Sequence, residues 1–297
     1  MHTASGKAAA DSRRAVAALL CGALIWGLIW YPYRILRDDG VDGIAASTAS
    51  YALAFVLGLP FWRRSPGARP PWSTLFWLAL SAGVCNLGYI LATLNGEVVR
   101  VLLLFYLAPL WTVLLARPLL GERPDAVGGL VIALSLSGAA IMFWQPRLGI
   151  PAPRDAADWL GLLAGFAFAL FNVLSRRARA LNSASKVLAA FAGVVGIGLL
   201  LLLSGVGHWR APSAPSLWLL LGLLGAILLL ANVIVQFGLV RVAANRAIVI
   251  MLSEIVVAAL AAWLLAGEAL AAREWLGGAI IVAASLLTAR QAEDSPA

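Results

Sequence analysis

Residues 98–122 read VVRVLLLFYLAPLWTVLLARPLLGE and predict a helix that lies in lipid. No charged residue occurs between Arg100 and Arg117. The run is long enough to cross a hydrocarbon core of ~30 Å, which needs about 20 helical residues. Pro109 removes a backbone hydrogen bond in the middle of the run and is expected to kink it. We therefore regard Pro109 as a candidate hinge.

Nine further apolar runs predict an all-α integral membrane protein with ten transmembrane helices. The ten runs cover residues 14–36, 43–62, 72–94, 98–116, 124–144, 158–175, 185–204, 216–240, 245–266 and 273–289. Hydrophobic residues make up 62% of the 297 residues and charged residues 12%, whereas soluble domains have roughly 45–50% and about 25%. This composition excludes a soluble domain and a disordered chain. The long runs also lack the alternation of a membrane β-barrel.

The basic residues indicate membrane topology rather than nucleic-acid binding, because they lie in short connections between the apolar runs. If the N-terminus is cytoplasmic, 15 of the 22 Lys and Arg residues fall on the inner side. The positive-inside rule then places both termini in the cytoplasm. The abundance of Ala and the preference for Arg over Lys favour a bacterial source, and therefore a multi-pass protein of the inner membrane.

The sequence contains an internal repeat. A shift of 146 residues superposes residues 72–122 on residues 218–268 without a gap. Leu and Ala matches are expected by chance in this composition, but four others are not. They are Trp72 with Trp218, Asn86 with Asn232, Arg100 with Arg246 and Gly121-Glu122 with Gly267-Glu268. A shift of 143 relates the first and sixth runs. Each unit then holds five helices, so the second unit enters the membrane from the opposite side, as in secondary carriers. We predict two inverted units, residues 1–146 and 147–297, around one central site.

Several motifs resemble a known family. Tyr106-Leu107-Ala108-Pro109 with Leu119-Leu120-Gly121-Glu122 resembles the Y-L-x-P…L-L-G-E signature of the drug/metabolite transporter superfamily, EamA type. Leu252-Ser253-Glu254, with Ala266-Gly267-Glu268, is its second copy, and FALFN at 168–172 resembles the family's sixth helix. The resemblance implies ten helices and a central cavity lined mainly by helices 1, 3, 4, 6, 8 and 9. Bacterial aromatic amino acid exporters of the YddG type look most similar, although those exporters can carry Trp where this chain has Ala108.

Polar and aromatic residues inside the runs are the candidate substrate contacts, because a polar group in the bilayer must find a partner or line water. Trp26 and Trp30 are one turn apart and suit stacking on an aromatic or apolar substrate. Asn86 and Asn232 are expected to face each other across the pseudo-axis. Their amides suit either a substrate carboxylate or carbonyl, or interhelical bonds worth about 0.6 kcal/mol. The remaining candidates are Tyr106, Phe168, Asn172 and Gln236.

Glu254 is the carboxylate that lies deepest within any predicted run. An acidic side chain at a helix centre costs ~2.5–3.5 kcal/mol on insertion scales. Two interpretations stay open: a cavity group that takes a proton or a substrate ammonium, and a structural acid bonded to a neighbouring helix. Near the ends of runs, we expect Arg100 and Arg246 to extend to the head groups, or else to bind a carboxylate. Tyr31 and Tyr33 are expected in the interfacial belt.

These features predict a secondary transporter that exports small metabolites, with aromatic or other hydrophobic amino acids as the favoured substrates. One alternative is a proton-coupled exporter of drugs or other metabolites that uses Glu254, and a more remote one is an intramembrane enzyme. The chain has no GxxxxGK[ST] motif, and His2 and His208 lie outside the runs. We therefore expect no enzymatic activity, no cofactor, no metal and no nucleic-acid partner, and the oligomeric state is open.

Overall fold

The computed structural model describes residues 2–63, 71–121, 126–145, 150–178, 181–242, 247, 250–269 and 271–294. In these residues the first half of the chain forms α1 (His2–Leu28), α2 (Trp30–Asp38), α3 (Gly43–Arg63), α4 (Trp72–Asn95), α5 (Val98–Phe105), α6 (Ala108–Leu120) and α7 (Ala126–Phe143). Two short antiparallel strands follow, β1 (Trp144–Gln145) and β2 (Ile150–Pro151). The second half forms α8 (Ala156–Arg177), α9 (Ser183–Leu203), α10 (Pro215–Leu239), α11 (Ser253–Ala266) and α12 (Ala272–Asp294).

Seven of the predicted runs are confirmed as helical segments long and apolar enough to cross a membrane. They are Arg13–Asp38, Gly43–Pro60, Trp72–Asn95, Val98–Leu120, Ala156–Arg177, Ser183–Leu203 and Pro215–Leu239. Of the other three runs, the fifth and the ninth overlap residues outside the described ranges, and the tenth forms α12. Within those ranges the fifth and the ninth runs contain the shorter apolar helices Gly129–Ile141 and Ser253–Ala266. The chain is therefore a multi-pass helical membrane protein.

The helices of the two halves pack mainly against one another. α4 packs against α8 and α9, and α10 packs against α1 and α3. α6 lies against α8, and α11 lies against α1. Two further pairs, α3 with α9 and α7 with α12, also join one half to the other. The buried core lies where these helices cross, and it includes Trp30, Tyr33 and Phe191.

The fourth and ninth runs are both broken, and the breaks occupy matched positions in the repeat. α5 ends at Phe105, and α6 begins at Ala108 after a turn. In the ninth run Leu252 forms the turn, and it corresponds to Tyr106 under the shift of 146. The kink expected near Pro109 is thus present. Because Ile255 stands at the matching place in the ninth run, proline is not required for such a break.

α6 and α11 also end alike. Gly121 and Gly267 cap them in the left-handed region, with φ of 74° and 66°. Side chains other than glycine rarely adopt this conformation, so Gly121 and Gly267 mark the ends of the two helices. Glu122 lies outside the described residues, and Glu268 begins the connection to α12.

Candidate functional site

Glu254 points into the helical bundle. It lies in the first turn of α11, directly after the break in the ninth run. Val256 and Trp263, which are 60% and 63% exposed, stand on the opposite face of the helix. Ala258 and Ala261 share the Glu254 face and are buried. The helix therefore turns its apolar face outward and directs Glu254, which is half-buried, away from lipid.

Two tyrosines accompany this carboxylate. The Tyr106 hydroxyl donates to Glu254 Oε2 at 3.4 Å, a long hydrogen bond. Within the described part of the chain, this is the one hydrogen bond to the Glu254 carboxylate. Tyr89 lies close enough to Glu254 for the two groups to repel each other if both were ionised. The Tyr89 hydroxyl is buried and makes no hydrogen bond with the described residues. The acid and this hydroxyl are therefore under-satisfied compared with ordinary buried polar groups.

Aromatic rings continue from the tyrosines. The Phe105 ring lies 5.5 Å from that of Tyr89, 6.1 Å from that of Tyr106 and 5.0 Å from that of Phe168, centroid to centroid. We call these four residues and Glu254 the central cluster. Gly165 lets α8 approach it, because a Cβ there would lie 2.6 Å from the Phe105 carbonyl oxygen. The Phe105 ring thus lies among the rings of Tyr89, Tyr106 and Phe168, and the Tyr106 hydroxyl joins this group to the Glu254 carboxylate. Phe168 is 39% exposed and lies at the outer edge of the cluster.

The structure brings three of the sequence-predicted site residues, Tyr106, Phe168 and Glu254, into the central cluster. The two tryptophans of the first run lie elsewhere in the core. Trp30 is fully buried, its indole N–H donates to the Gly27 carbonyl oxygen at 2.9 Å, and the Arg34 guanidinium lies 4.8 Å from its ring centroid. Its ring is thus occupied by packing in this conformation. Trp26 is half-buried against the same core.

The predicted amides are half-buried. Asn86 Oδ1 accepts a hydrogen bond from the Tyr51 hydroxyl at 2.7 Å, and its Nδ2 donates to the Ala82 carbonyl oxygen. Asn232 Nδ2 donates to the Leu228 carbonyl oxygen of its own helix at 2.9 Å. In the described residues no hydrogen bond joins the two amides, and their facing arrangement stays a prediction. Asn172 lies in α8 and Gln236 lies in α10, and both are half-buried.

The structure corrects the prediction that Arg100 extends to the head groups. The Arg100 side chain is only 3% exposed and is held by two carboxylates. Its Nε and Nη2 donate to Asp158 at 2.7 and 2.8 Å, and its Nη1 donates to Glu274 at 2.7 Å. Arg154 also pairs with Glu274 and lies 3.8 Å from Glu97. We call these five residues the end network. Arg246, the repeat partner of Arg100, lies outside the described residues.

A second set of polar contacts lies beside the end network. Arg34 pairs with Glu268 at 2.8 Å and donates to the Thr93 and Gly96 carbonyl oxygens. Glu268 also accepts from the Val98 N–H at 2.7 Å. These contacts tie the end of the first run to the connections before α5 and before α12.

Tyr33 is a further correction. It is 1% exposed, and its hydroxyl lies 2.6 Å from that of Ser50, so it is a core residue rather than a member of an interfacial belt. The helix that carries it, α2, turns Trp30, Tyr33 and Leu36 toward the bundle, which explains the burial.

Sequence reasoning missed the end network, although a signal was present. In the predicted topology Arg100, Asp158 and Glu274 all lie near the outer ends of their runs. Opposite charges at the same depth are expected to pair when the helices pack. Glu97, in the connection before α5, has its pKa raised chiefly by burial, with the Glu274 carboxylate adding and Arg154 and Arg100 opposing.

The described residues contain no group of three or more His, Cys, Asp or Glu placed to hold a metal ion. The chemistry available to the central cluster is one carboxylate, tyrosine hydroxyls and aromatic faces. Such groups bind or relay protons and cations.

Comparison with known proteins assigns the family. The model of the EamA-like transporter family matches residues 13–144 and again residues 155–290. The chain therefore belongs to the EamA-like transporter family. The two matches fall in the two halves of the predicted repeat.

Two curated relatives extend this result. An uncharacterized transporter of Archaeoglobus fulgidus is 28% identical over 278 residues, which cover 93% of this chain and 96% of the relative. The chloramphenicol-sensitive protein RarD of Pseudomonas aeruginosa is 30% identical over 185 residues, or 57% of each chain. A solved crystal structure superposes with a TM-score of 0.60 over 94% of this chain and 98% of that chain, at 17% identity. That likeness concerns the fold.

Proposed function

We propose that this membrane transporter is a secondary carrier that moves a small metabolite by alternating access between two inverted five-helix units. The observation that carries the proposal is the central cluster, in which one inward-facing carboxylate lies at the break of a transmembrane helix. Broken helices at mid-depth are where secondary carriers place their binding sites.

The packing supports two units related by a two-fold axis, and five runs in each unit make their orientations opposite. A pseudo-two-fold axis would exchange the first five runs with the last five. The contact between α4 and α8 then corresponds to the contact between α10 and α1. Likewise, the contact between α4 and α9 corresponds to that between α10 and α3, and the contact between α6 and α8 corresponds to that between α11 and α1. All of these contacts are present, and α3 with α9 and α7 with α12 map onto themselves.

The ion pairs support the predicted threading. Arg34, Arg100, Asp158, Glu268 and Glu274 come from four different connections or run ends that the topology assigns to one side. They meet in the end network and its neighbouring contacts. One miscounted span would have separated them by the thickness of the membrane. We infer an inner-membrane location with both termini in the cytoplasm, and outward movement of the substrate.

The substrate class that we favour is a small molecule with an amino group and an aromatic or other hydrophobic body, with amino acids as the first candidates. The rings of Phe105, Tyr106 and Phe168 suit the apolar body. Glu254 suits the ammonium, and Asn172, Asn232 and Gln236 are the proposed polar contacts from the surrounding runs.

A proton-coupled exporter is the second candidate, and the same carboxylate favours it. A half-buried acid with one long hydrogen bond is able to exchange a proton when the site opens to either side. The drug-related name of the RarD relative describes that protein, and it makes antimicrobials a reasonable set of test solutes here.

Transport in proteoliposomes tests both candidates. We expect the wild-type protein to exchange labelled hydrophobic amino acids or amines across the membrane, and Glu254→Gln to abolish the exchange. Proton coupling predicts that an imposed pH gradient accelerates net flux in the wild type and has no effect in the variant. Flux in Glu254→Gln that equals the wild type would contradict a role for this carboxylate. Conversion of a solute by purified protein would favour an enzyme instead.

Topology is tested separately. Tags at the N- and C-termini are both expected to be cytoplasmic, whereas tags on opposite faces would overturn the ten-span, two-unit arrangement.

A further inference from the structure

We propose that the central cluster selects an amine cation on an aromatic or apolar body and selects against molecules that also carry a carboxylate. This inference rests on the proposed carrier function. Within the proposed class of small molecules with an amino group and a hydrophobic body, it ranks amines above the amino acids named as first candidates. It separates amines from the amino acids that share the same side chain.

The first argument is the distribution of charge. In the described transmembrane helices the other ionised side chains lie near run ends. They are Arg13, Arg14, Arg34, Arg37, Asp38, Arg100, Arg117, Asp158, Arg176, Arg177, Lys186, Arg273 and Glu274. Glu254 lies nine residues beyond the start of the predicted ninth run and faces inward. At mid-depth the described residues therefore present one carboxyl group and no cationic side chain.

The second argument is the surroundings of that carboxyl group. Tyr106 holds the carboxylate by one long hydrogen bond, so lone pairs remain for an ammonium. The buried Tyr89 hydroxyl makes no hydrogen bond with the described residues and is an acceptor for a second ammonium proton. The rings of Phe105 and Phe168 continue from these tyrosines. Aromatic faces attract cations, more strongly where water is excluded.

The third argument concerns the carboxylate of an amino acid. Arg100 is the buried arginine that would be its natural partner, but Asp158 and Glu274 already occupy its guanidinium. A substrate carboxylate would therefore lie near Glu254 without a described cation to neutralise it. Like charges at short range in a poorly solvated site repel strongly. The site thus discriminates by charge rather than by ring shape.

A matched pair of ligands tests the inference. 2-Phenylethylamine and phenylalanine share the benzyl group and the ammonium and differ by the carboxylate. We expect purified protein to bind 2-phenylethylamine at least about tenfold more tightly, as measured by calorimetry. Glu254→Gln is expected to lose the amine affinity by a similar factor. Asp38→Asn, which removes an exposed carboxylate at the end of α2, is the control and is expected to bind as the wild type does.

Flux is measured with a permanently charged probe, because neutral amines leak through lipid. We expect counterflow of trimethyl(2-phenylethyl)ammonium in wild-type proteoliposomes and none with Glu254→Gln. Phenylalanine transport without amine binding would overturn the inference and leave the carrier function standing. Flux of neither ligand, together with no binding, would contradict the inference. A wider solute screen without any flux would then contradict the carrier function as well.

Discussion

The end network and the central cluster both place carboxylates in the interior of the helical bundle, but they differ in how fully those carboxylates are satisfied. In the end network Arg100 contacts Asp158 through two nitrogens and Glu274 through a third. In the central cluster Glu254 has one hydrogen bond, of 3.4 Å, in the described residues. A satisfied buried ion pair holds helices together, whereas an under-satisfied acid costs stability and persists where a ligand or a proton completes it.

The largest expected effect is on the end network. Arg100→Met leaves Asp158 and Glu274 buried without their shared cation, so the free energy of unfolding should fall by ~3–5 kcal/mol. The measurement is thermal unfolding in detergent, together with the yield of monodisperse protein. Arg117→Met removes an exposed arginine near the end of α6 and serves as the control. A melting temperature equal to that of the wild type would show that Arg100 is not a structural residue.

The reverse pattern is expected at the central cluster. Glu254→Gln removes a poorly satisfied acid and keeps the shape of the side chain, so the melting temperature should equal or exceed that of the wild type while ligand affinity falls at least about tenfold. Unfolding and ligand titration on the same preparation separate the two quantities. Destabilisation comparable to that of Arg100→Met would assign Glu254 to the structural acids.

The sequence predicted the fold better than the site, for a physical reason. Apolar runs are properties of single segments, and they located the helices and, through Pro109, the kink in the fourth run. The matching interruption in the ninth run was not predicted. Burial depends on which helices meet. Tyr33 and Arg100 lie near run ends, where interfacial placement is the usual outcome, but packing of α2 and α5 against their neighbours encloses both.

The same reason explains why the sequence predicted only part of the candidate site. Glu254 was recognisable as a carboxylate deep within an apolar run, and Tyr106 from its place in the Tyr106-Leu107-Ala108-Pro109 motif. Tyr89 and Phe105 are ordinary residues in apolar runs, and their part in the central cluster follows from the approach of α4, α5 and α8. Asn86 and Asn232 match under the 146-residue shift, yet nothing in the sequence pattern indicates the hydrogen bond from Tyr51 to Asn86.

A smaller effect is expected from the hydroxyl of Tyr106. Tyr106→Phe removes a long hydrogen bond and keeps the ring, so ligand affinity should fall by less than about tenfold and stability by under about 1 kcal/mol. Calorimetry compares it with Tyr89→Phe, which removes a hydroxyl that has no hydrogen bond in the described residues. A loss as large as that of Glu254→Gln would mean that Tyr106 contacts the ligand directly.

Pro109 tests whether the break in the fourth run depends on proline. Pro109→Ala should keep the break, because the ninth run breaks at Leu252 with Ile255 at the matching position. The distance between spin labels on α5 and α6 should change by less than one helical turn, ~5.4 Å. A continuous helix in the variant would restore proline as the cause and remove the argument from the repeat.

The smallest effect concerns Glu97, at the partly exposed edge of the end network. Its pKa is raised chiefly by burial, so the ionised form is less favourable in the folded protein than in the unfolded chain. Stability from this group is fully present below its unfolded pKa and is lost as the pH rises through the folded value. Glu97→Gln should therefore remove a small decline in melting temperature above pH 4.5, the ordinary value of this group. An unchanged pH profile in Glu97→Gln would show that solvent screens this carboxylate. A melting temperature that falls at neutral pH would instead show that the 3.8 Å contact between Glu97 and Arg154 stabilises the fold.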